Sequence, residues 1–297
     1  MNHTPVLLHE VLQFLNPKLG DFIIDGTMNG GGHTAAILEA VGPTGRVLGI
    51  DLDEAMVAKA RARFADQKNM FCICGNYADL PDILQEKKMG LADGLLLDLG
   101  FSSEQLRDSG RGFSFNPKSH GDEPLLMTYD PRAKPARQVL REFNEKELAK
   151  MIFELSGEKF AMRIARRIKE RGRKNPIETA AELAAIIRES VPETYERGRI
   201  DPATRTFQAL RIYVNRELEN LEIVLGNLPR ILARGGRAVV ISFHSLEDRV
   251  AKRTFQKMAK ESQLEIITKK PVTASLEEIR RNPRSRSAKL RAIKMSF

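Results

Sequence analysis

A glycine-rich turn between an apolar run and a helical pattern is the feature that most constrains how this chain can fold. Phe22, Ile23 and Ile24 lead into Asp25, a glycine-rich stretch follows at residues 26–32, and Thr34 opens an apolar-periodic helix. Strand, glycine turn and helix in this order are typical of α/β sheets that bind nucleotide-like ligands. Glycine allows positive φ and close approach of the backbone, and the N–H groups of the new helix face the ligand.

An acidic residue at the end of the next strand strengthens this interpretation. Residues 46–51 form a second apolar run, and its terminal Asp51 lies 19 to 21 residues beyond the three consecutive glycines. This is about the distance at which such sheets place a carboxylate on the ribose hydroxyls of a bound nucleotide. The two features together predict a cofactor that contains a nucleoside.

Two classes of cofactor bind to turns of this kind. A nicotinamide dinucleotide requires the spacing Gly-x-Gly-x-x-Gly, and the run Gly30, Gly31, Gly32, His33 does not have that spacing. S-adenosylmethionine has no phosphate, so it needs only the close glycine backbone and the ribose carboxylate. Asp25 at the strand end also suits a cationic ligand better than a phosphate. The turn therefore favours S-adenosylmethionine.

Composition limits the class of protein and its partners. The 297 residues can form one large domain or two smaller ones, and 42% apolar with 29% charged residues is ordinary for a soluble globular protein. The net charge of +9 suggests a polyanionic partner. The sequence contains no cluster of cysteine and histidine residues that would predict a metal site. No apolar run approaches the roughly 18 residues of a membrane span. The N-terminus has no leader pattern, so the expected location is the cytoplasm.

Strand and helix patterns alternate in the first third of the chain. The apolar runs that predict strands lie at residues 22–25, 47–51, 71–74 and 92–98. Each is followed by a helical pattern, which predicts an α/β fold with a doubly wound sheet. Cys72 and Cys74 lie two apart in the third run, so they share one face of the strand, and we expect that face to point to the core.

The alternation stops after residue 115. Up to about Pro202 only helical periodicity is found, with apolar stripes at residues 137–143, 145–155, 160–171 and 179–190. The α/β pattern resumes at Ala203 with a long helix to about residue 232, broken near residues 226–229, and further strands follow at 237–243, 264–269 and 290–295. We therefore expect an α/β domain of residues 1–115 and 203–297, interrupted by an all-helical domain of residues 116–202.

One helix of the predicted insertion, at residues 160–174, concentrates positive charge. Phe160, Ile164 and Ile168 form its apolar stripe. The rest of its surface carries Arg163, Arg166, Arg167, Lys169, Arg171, Arg173 and Lys174. Such a face is either solvated surface or a contact for RNA. The positive balance of the whole chain favours RNA.

Motifs along the whole chain resemble those of one bacterial family. They lie at residues 3–10, 25–34, 98–106, 111–115, 202–212, 243–249 and 282–291. The family is the RsmH (formerly MraW) family of 16S ribosomal RNA cytosine-N4 methyltransferases. The resemblance implies a class I S-adenosylmethionine-dependent methyltransferase with a Rossmann-like sheet and a helical insertion that recognises the substrate. It also implies methylation of a cytidine in small-subunit ribosomal RNA within a ribosomal particle, and it allows a homodimer.

The resemblance also assigns the cofactor contacts. They fall on Gly31, Gly32, His33, Asp51, Tyr77, Asp98 and Gln105. Asp51 would accept hydrogen bonds from the ribose, and the Tyr77 ring would lie against adenine. Judged without the resemblance, His33 would be a helix-start residue that donates only its backbone N–H, and Tyr77 a partly buried loop aromatic.

The catalytic candidates are Asp98, Phe101, His244 and Ser245. Asp98 or a nearby carbonyl would accept a hydrogen bond from the N4 amine, and Phe101 would stack on the base. His244 and Ser245 follow a later strand and are expected at the same carboxyl edge of the sheet, where ligands bind. Without the resemblance, His244 is equally consistent with a structural role at the start of a helix.

The sequence departs from the family pattern at two places. Asn29 replaces a glycine of the turn, and we expect it to be tolerated because asparagine adopts positive φ. Residues 122–130 lack the arginine of the usual motif, which bears on the substrate side. Two other functions are compatible with parts of the pattern, namely a dinucleotide-dependent oxidoreductase and a non-catalytic RNA-binding factor for ribosome assembly.

Overall fold

The computed structural model describes residues 5–100, 110–115 and 123–296. The chain divides into two compact units, one of residues 1–102 and 218–297 and the other of residues 103–217. We call the first the sheet unit and the second the helical unit. Helices and strands are numbered in chain order within the described residues.

The helices are α1 (Leu8–Leu15), α2 (Gly32–Val41), α3 (Glu54–Arg63), α4 (Leu80–Glu86), α5 (Ala136–Glu142), α6 (Glu145–Ser156), α7 (Ala161–Lys174), α8 (Ala180–Glu189), α9 (Ala203–Val214), α10 (Glu217–Gly226), α11 (Leu228–Ile231), α12 (Ser245–Lys260) and α13 (Leu276–Arg281). Short 3-10 turns lie at Tyr77–Asp79, Tyr195–Gly198 and Pro283–Ser287. In the described parts of the chain, none of these helices has the length and apolar character needed to cross a membrane.

The sheet unit contains one seven-stranded sheet in the order β3-β2-β1-β4-β5-β7-β6. Its strands are β1 (Phe22–Asp25), β2 (Arg46–Asp51), β3 (Met70–Cys74), β4 (Ala92–Asp98), β5 (Leu232–Ser242), β6 (Leu264–Ile266) and β7 (Lys289–Met295). The first five strands pair in parallel, whereas β7 is antiparallel to β5 and β6. Because β1 lies between β2 and β4, the strand order reverses beside β1. Ligands of open α/β sheets bind at such a switch point.

Helices cover both faces of this sheet, which confirms the doubly wound prediction. Along β4, Leu95 and Leu97 belong to one core cluster, with residues from α4, α10 and α12. Leu96 points the other way, into a cluster with residues from α1, α2 and α3. All three side chains are fully buried. Burial on both faces explains why the strand is apolar without alternation, and each such side chain contributes about 1.5–3 kcal/mol.

The helical unit has its own core, built from the apolar stripes of α5 to α9. On α7, Ile164 and Ile168 are fully buried as predicted, and Phe160 packs against this core from the position before the helix. α6 begins with a capping box in which Asn144 and Glu147 each bond the other's backbone N–H. Among the described residues of the unit, the β structure is limited to one isolated bridge, between Pro124 and Thr179.

α9 differs from its sequence-based assignment. It was expected to open the second part of the α/β domain, but its buried residues, including Phe207 and Leu210, pack in the core of the helical unit. The compact units accordingly divide after residues 102 and 217, where the sequence pattern suggested 115 and 202. The expected long helix also ends earlier, because Arg216, with φ of 51°, separates α9 from α10. An apolar stripe shows that a helix packs, and it does not show against which partner.

The prediction that Cys72 and Cys74 face the core is correct for Cys72, which packs against the cluster around α1, α2 and α3, and wrong for Cys74. Cys72 is half-buried and Cys74 is exposed, and both are free thiols. β3 is an edge strand with no neighbour beyond it, and even its Phe71 side chain is 41% exposed. An apolar run at the edge of a sheet is covered less completely than the same run in the centre.

Candidate functional site

Three buried carboxylates meet at the carboxyl edge of the sheet. Asp25 ends β1, Asp51 ends β2 and Asp98 ends β4, so they lie at the end of adjacent strands beside the switch point. All three residues are at least 91% buried, since their exposed fractions are 1%, 7% and 9%. The arrangement follows from the sequence pattern, in which an acidic residue closes each apolar run.

The turn after β1 is locked by Asn29. Its φ is 47°, so the expectation that asparagine would adopt the left-handed conformation here is confirmed. Its backbone N–H donates to Asp51 Oδ2 at 2.8 Å. Its side-chain amide donates to the carbonyls of Thr27 at 3.1 Å and Gly100 at 3.2 Å. Asn29 therefore ties the turn to the ends of β2 and β4, a role that conformational tolerance alone did not predict.

Two of the three consecutive glycines of the turn are required by packing inside the protein. Gly31 has φ of 71° and is the N-cap of α2. A Cβ added to it would lie 2.7 Å from the Phe64 ring, and a Cβ on Gly32 would lie 2.6 Å from the Pro5 ring. A Cβ added to Gly30 would meet no atom of the described residues within 4 Å. The cofactor contacts assigned to Gly31 and Gly32 therefore stay predictions for their backbone groups.

His33 makes buried side-chain contacts, so the interpretation that it donates only its backbone N–H is wrong. Its Nε2 lies 2.9 Å from the carbonyl oxygen of Val6. A carbonyl only accepts, so Nε2 carries the hydrogen, and in the neutral ring Nδ1 presents a lone pair. Nδ1 lies 3.5 Å from Asp98 Oδ2. Burial lowers the pKa of His33, which favours this neutral form.

Asp98 is held by several neighbours. Its backbone N–H donates to Thr27 Oγ1 at 2.6 Å, and its Oδ1 accepts from the Gly100 N–H at 3.4 Å. Gly100 has no room for a side chain, because an added Cβ would lie 2.7 Å from the Phe243 ring. Thr27 and Phe243 were not predicted as site residues. Only their positions directly after strands indicated that they could reach this edge.

Burial changes the protonation of the carboxylates. It raises the pKa of Asp51 and of Asp98 to about 7. Burial also raises the pKa of Asp25, and this effect outweighs the hydrogen bond from Thr34, which lowers that pKa. The charge of Asp25 also raises the pKa of Asp51. Near neutral pH the cluster therefore holds protons that a bound cation would displace.

Tyr77 begins the 3-10 turn after β3 and packs partly buried against the core cluster of the sheet unit. It lies close to the glycine turn, because a Cβ added to Gly26 would be 3.3 Å from the Tyr77 Cβ. This position is compatible with its predicted contact to adenine. The predicted site residues Phe101 and Gln105 lie outside the described residues.

His244 and Ser245 follow β5, next to Asp98. Asp98 pairs with Ile241 of β5, so the expected meeting of these strand ends is confirmed. His244 is the N-cap of α12 and forms a capping box with Glu247, whose Oε2 accepts from the N–H groups of Phe243 and His244. Glu247 was missed, although an acid three residues after a predicted helix start is the capping-box pattern.

The two ring nitrogens of His244 have different surroundings. Nδ1 accepts from the Glu247 N–H at 3.4 Å. Nε2 is buried and lies 3.1 Å from Glu247 Oε1, without a hydrogen bond of acceptable geometry. Ser245 is exposed at the first position of α12. The structure therefore gives His244 a structural role, with both ring nitrogens beside Glu247.

The chemistry of these residues fits S-adenosylmethionine. Asp25, Asp51 and Asp98 are buried with raised pKa values, and a sulfonium with an ammonium group would compensate their negative charge. A pyrophosphate would add further negative charge at the same edge. Asp51 would hold the ribose, and the turn around Asn29 and Gly30 would provide backbone contacts. The donor set therefore disfavours the dinucleotide alternative.

Comparison with known proteins agrees with the site. A family model described as the MraW methylase family matches residues 1–296. The ribosomal RNA small subunit methyltransferase H of Thermomicrobium roseum is 44% identical over 98% of this chain and 92% of its own length. The enzymes with the same name from Acidobacterium capsulatum and Thermotoga neapolitana are 42% and 44% identical, over 98% and 99% of this chain and 97% and 96% of their own.

These matches cover both units and every motif that carried the family resemblance. The alternatives of an oxidoreductase and of a non-catalytic assembly factor find no support in them. The cofactor is S-adenosylmethionine, and the doubly wound sheet has the class I methyltransferase fold with a helical insertion. The chain therefore belongs to the MraW methylase family.

Proposed function

We propose that this protein transfers a methyl group from S-adenosylmethionine to the exocyclic N4 amine of a cytidine in small-subunit ribosomal RNA. The observation that carries the proposal is the buried carboxylate of Asp98 at the switch point of the sheet, in a chain of this family. The names of the relatives support the ribosomal RNA substrate. The sequence resemblance supports the N4 position of cytidine.

Asp98 would act on the amine as a hydrogen-bond acceptor. The N4 lone pair is delocalised into the ring, so this amine is a poor nucleophile. S-adenosylmethionine supplies the electrophilic methyl group when it is bound. A hydrogen bond from N4 to Asp98 favours a pyramidal nitrogen, and Thr27 holds the Asp98 backbone in place by accepting its N–H. Positioning contributes about 7–11 kcal/mol to such reactions, so a strong base is not needed.

Other residues would hold the target base. His244 and Ser245 lie after β5, whose end is adjacent to that of β4. Nε2 of His244, which makes no hydrogen bond of acceptable geometry within the described residues, would bond the substrate in place of its contact with Glu247 Oε1. Phe101, from its position in the chain, would stack on the flipped cytosine. In this proposal Asp98 contacts both the cofactor and the amine.

The helical unit would recognise the RNA. This extends the sequence-based proposal of a substrate-recognition domain at residues 116–202. The support comes from α7, which carries seven basic residues and one acidic residue in 14 positions. Phosphate groups would contact this exposed basic face.

The substrate would be ribosomal RNA within a ribosomal particle, and the cytoplasm is the compartment where such particles are assembled in bacteria. A homodimer, which the resemblance allows, would give twice the 33.4 kDa mass of the chain in light scattering.

Mass spectrometry of RNA nucleosides tests the function. Purified protein, S-adenosylmethionine with a labelled methyl group, and either small ribosomal subunits or naked 16S RNA are incubated and digested. We expect labelled N4-methylcytidine, and its absence with Asp98→Asn under the same conditions. Label on another nucleoside would overturn the N4 assignment. Calorimetric binding of NAD in place of S-adenosylhomocysteine would overturn the cofactor assignment as well.

A further inference from the structure

A groove lies between α5 and α7 in the helical unit, and its lining contains none of the residues proposed for methyl transfer. Its volume is about 260 Å³. Arg137 and Arg141 lie one turn apart on α5, and Lys169 and Arg173 lie one turn apart on α7. Residues at this spacing share one helix face, so two basic pairs line the groove from opposite helices.

The groove has an excess of positive charge. One carboxylate, Glu178, pairs with both Arg137, at 3.3 Å, and Arg141. Lys169 donates to the carbonyls of Leu140 at 2.9 Å and Arg141 at 3.0 Å, which cap the end of α5. Burial, and after it the charge of Arg173, lowers the pKa of Lys169. Within the described residues, the Arg173 side chain makes no hydrogen bond or ion pair, so an anion bound here would relieve its repulsion with Lys169.

The lining of the groove is partly apolar. Leu140, Ile168 and Ile177 contribute to it, and these residues are at least 95% buried, with exposed fractions of 4%, 1% and 5%. A phosphate-binding surface alone has no need for this apolar part. A ribose or a base placed over it would be removed from water, which is favourable.

Gly172 also lines the groove. It lies inside the last turn of α7, where glycine destabilises a helix relative to alanine. Neither a positive φ nor a close neighbour requires glycine here, because an added Cβ would meet nothing within 4 Å. Its effect is to keep the wall of the groove open. A side chain at this position would narrow the space.

We propose that this groove binds one unpaired nucleotide of the RNA substrate. The phosphate lies between the two basic pairs and the ribose or base lies over the apolar part. The volume suits a single nucleotide, whereas a duplex would contact only the rim. Unpaired bases are what proteins commonly hold against apolar side chains and arginine planes. The inference rests on the proposed function, because it assumes an RNA substrate.

Three variants test the groove with a fluorescent single-stranded oligoribonucleotide as probe. Arg173→Glu removes the groove cation whose side chain has no partner among the described residues, and Lys150→Glu makes the same charge change on α6, away from the groove. Arg173→Glu should weaken binding about tenfold and lower the salt slope by about 0.7 for each phosphate that the variant no longer binds. Lys150→Glu should change both much less.

The third variant, Gly172→Ala, keeps every charge. It should raise Tm, because alanine favours the helix, and yet weaken binding of the single strand severalfold at an unchanged salt slope. A duplex of the same length should bind more weakly than the single strand to the wild type. These results would support the groove.

Equal effects of Arg173→Glu and Lys150→Glu would overturn the proposal, since bulk charge would then account for binding. Unchanged affinity in Gly172→Ala, tighter binding of the duplex, or tighter binding of an oligoglutamate peptide would also overturn it. S-adenosylhomocysteine affinity should stay the same in all three variants. Methyl transfer by the wild type is measured separately, so its failure would refute the proposed function without affecting the oligoribonucleotide readout.

Discussion

At the residue scale, the buried carboxylates make stability depend on pH. The ordinary pKa of aspartate is 3.8, and burial raises that of Asp98 to about 7 in the folded protein. Between these values the folded chain binds more protons than the unfolded chain, so stability falls as pH rises through this window and is level above it. Asp98→Asn removes this titration. We expect the free energy of unfolding of the variant, relative to that of the wild type, to increase by about 2 kcal/mol from pH 5 to pH 7.

Thermal unfolding of the ligand-free protein at pH 5, 6, 7 and 8 measures this effect. Titration of His33 makes stability rise with pH, because burial lowers its pKa. Subtracting the stability of the wild type from that of the variant at each pH reduces this contribution. Parallel pH profiles for the two proteins would show that Asp98 ionises at its ordinary pKa.

Asp51 gives the second prediction at this scale. Asp51→Asn should weaken S-adenosylhomocysteine binding by about 1.5–3 kcal/mol, the value of a charge-assisted hydrogen bond. The substitution is milder than alanine, because the amide oxygen can still accept one of the bonds from Asn29 and Asp53. Isothermal titration calorimetry measures the affinity.

Asp53→Asn is the matched control for Asp51→Asn. Asp53 caps α3 by accepting from the Ala55 N–H at 3.1 Å, and asparagine caps a helix as well as aspartate. Its cofactor affinity should therefore equal that of the wild type. Equal affinities of all three proteins would remove Asp51 from the cofactor site.

Two substitutions of His244 test whether the residue only caps α12 or also contacts the substrate. His244→Asn keeps an N-cap acceptor, whereas His244→Ala removes it and should cost about 1 kcal/mol of stability. If Nε2 contacts the substrate, both variants should lose at least about tenfold in methyl transfer, or about 1.4 kcal/mol, with little change in S-adenosylhomocysteine binding. Full activity of a stable His244→Asn protein would assign the residue to capping alone.

At the scale of the element, α7 carries the RNA hypothesis. Arg166 and Arg167 are 62% and 56% exposed and pair with Glu145 and Glu170 at 3.3 and 3.4 Å. Exposed pairs of this kind contribute little to stability, so the double change of both arginines to glutamate should leave the fold intact. RNA affinity should fall, and the salt slope should decrease by about 1.4–1.8 for two phosphate contacts.

The control for α7 is the double variant Lys146→Glu and Lys150→Glu on α6, which makes the same change in net charge. Filter binding with 16S RNA at several salt concentrations compares the two variants. Similar losses in both would mean that α7 has an ordinary solvated face.

Helices and strands were predictable where the local sequence of one element shows a clear hydrophobic pattern. Continuous apolar runs located β1 and β4, and the apolar stripe located α7 within a few residues of its bounds. The contacts of His33 were not predictable, because its ring bonds the carbonyl of Val6, 27 residues earlier in the chain. Asp51 was found because its function depends on spacing along the chain, which the sequence contains directly.

At the scale of the whole molecule, the class of the sheet followed from the alternation, but the division into units did not. α9 has the same kind of stripe as the helices of the sheet unit, and only the tertiary structure shows that Phe207 packs with α5 to α8. The burial of residues on an edge strand also depends on the tertiary structure. Cys74 is exposed because β3 has a neighbour on one side only, and strand order is a property of the complete fold.

The separation of β4 from β5 in the chain affects how the protein is synthesised. β4 pairs with β1 on one side, which is translated before it, and with β5 on the other, which follows after the 133 residues between Asp98 and Leu232. At about 5–20 residues per second, the nascent chain leaves one edge of its central apolar strand unpaired for roughly 7–27 seconds. Unpaired strand edges promote association between chains. A chaperone that shields this edge until β5 leaves the translating ribosome therefore has a defined period in which to act.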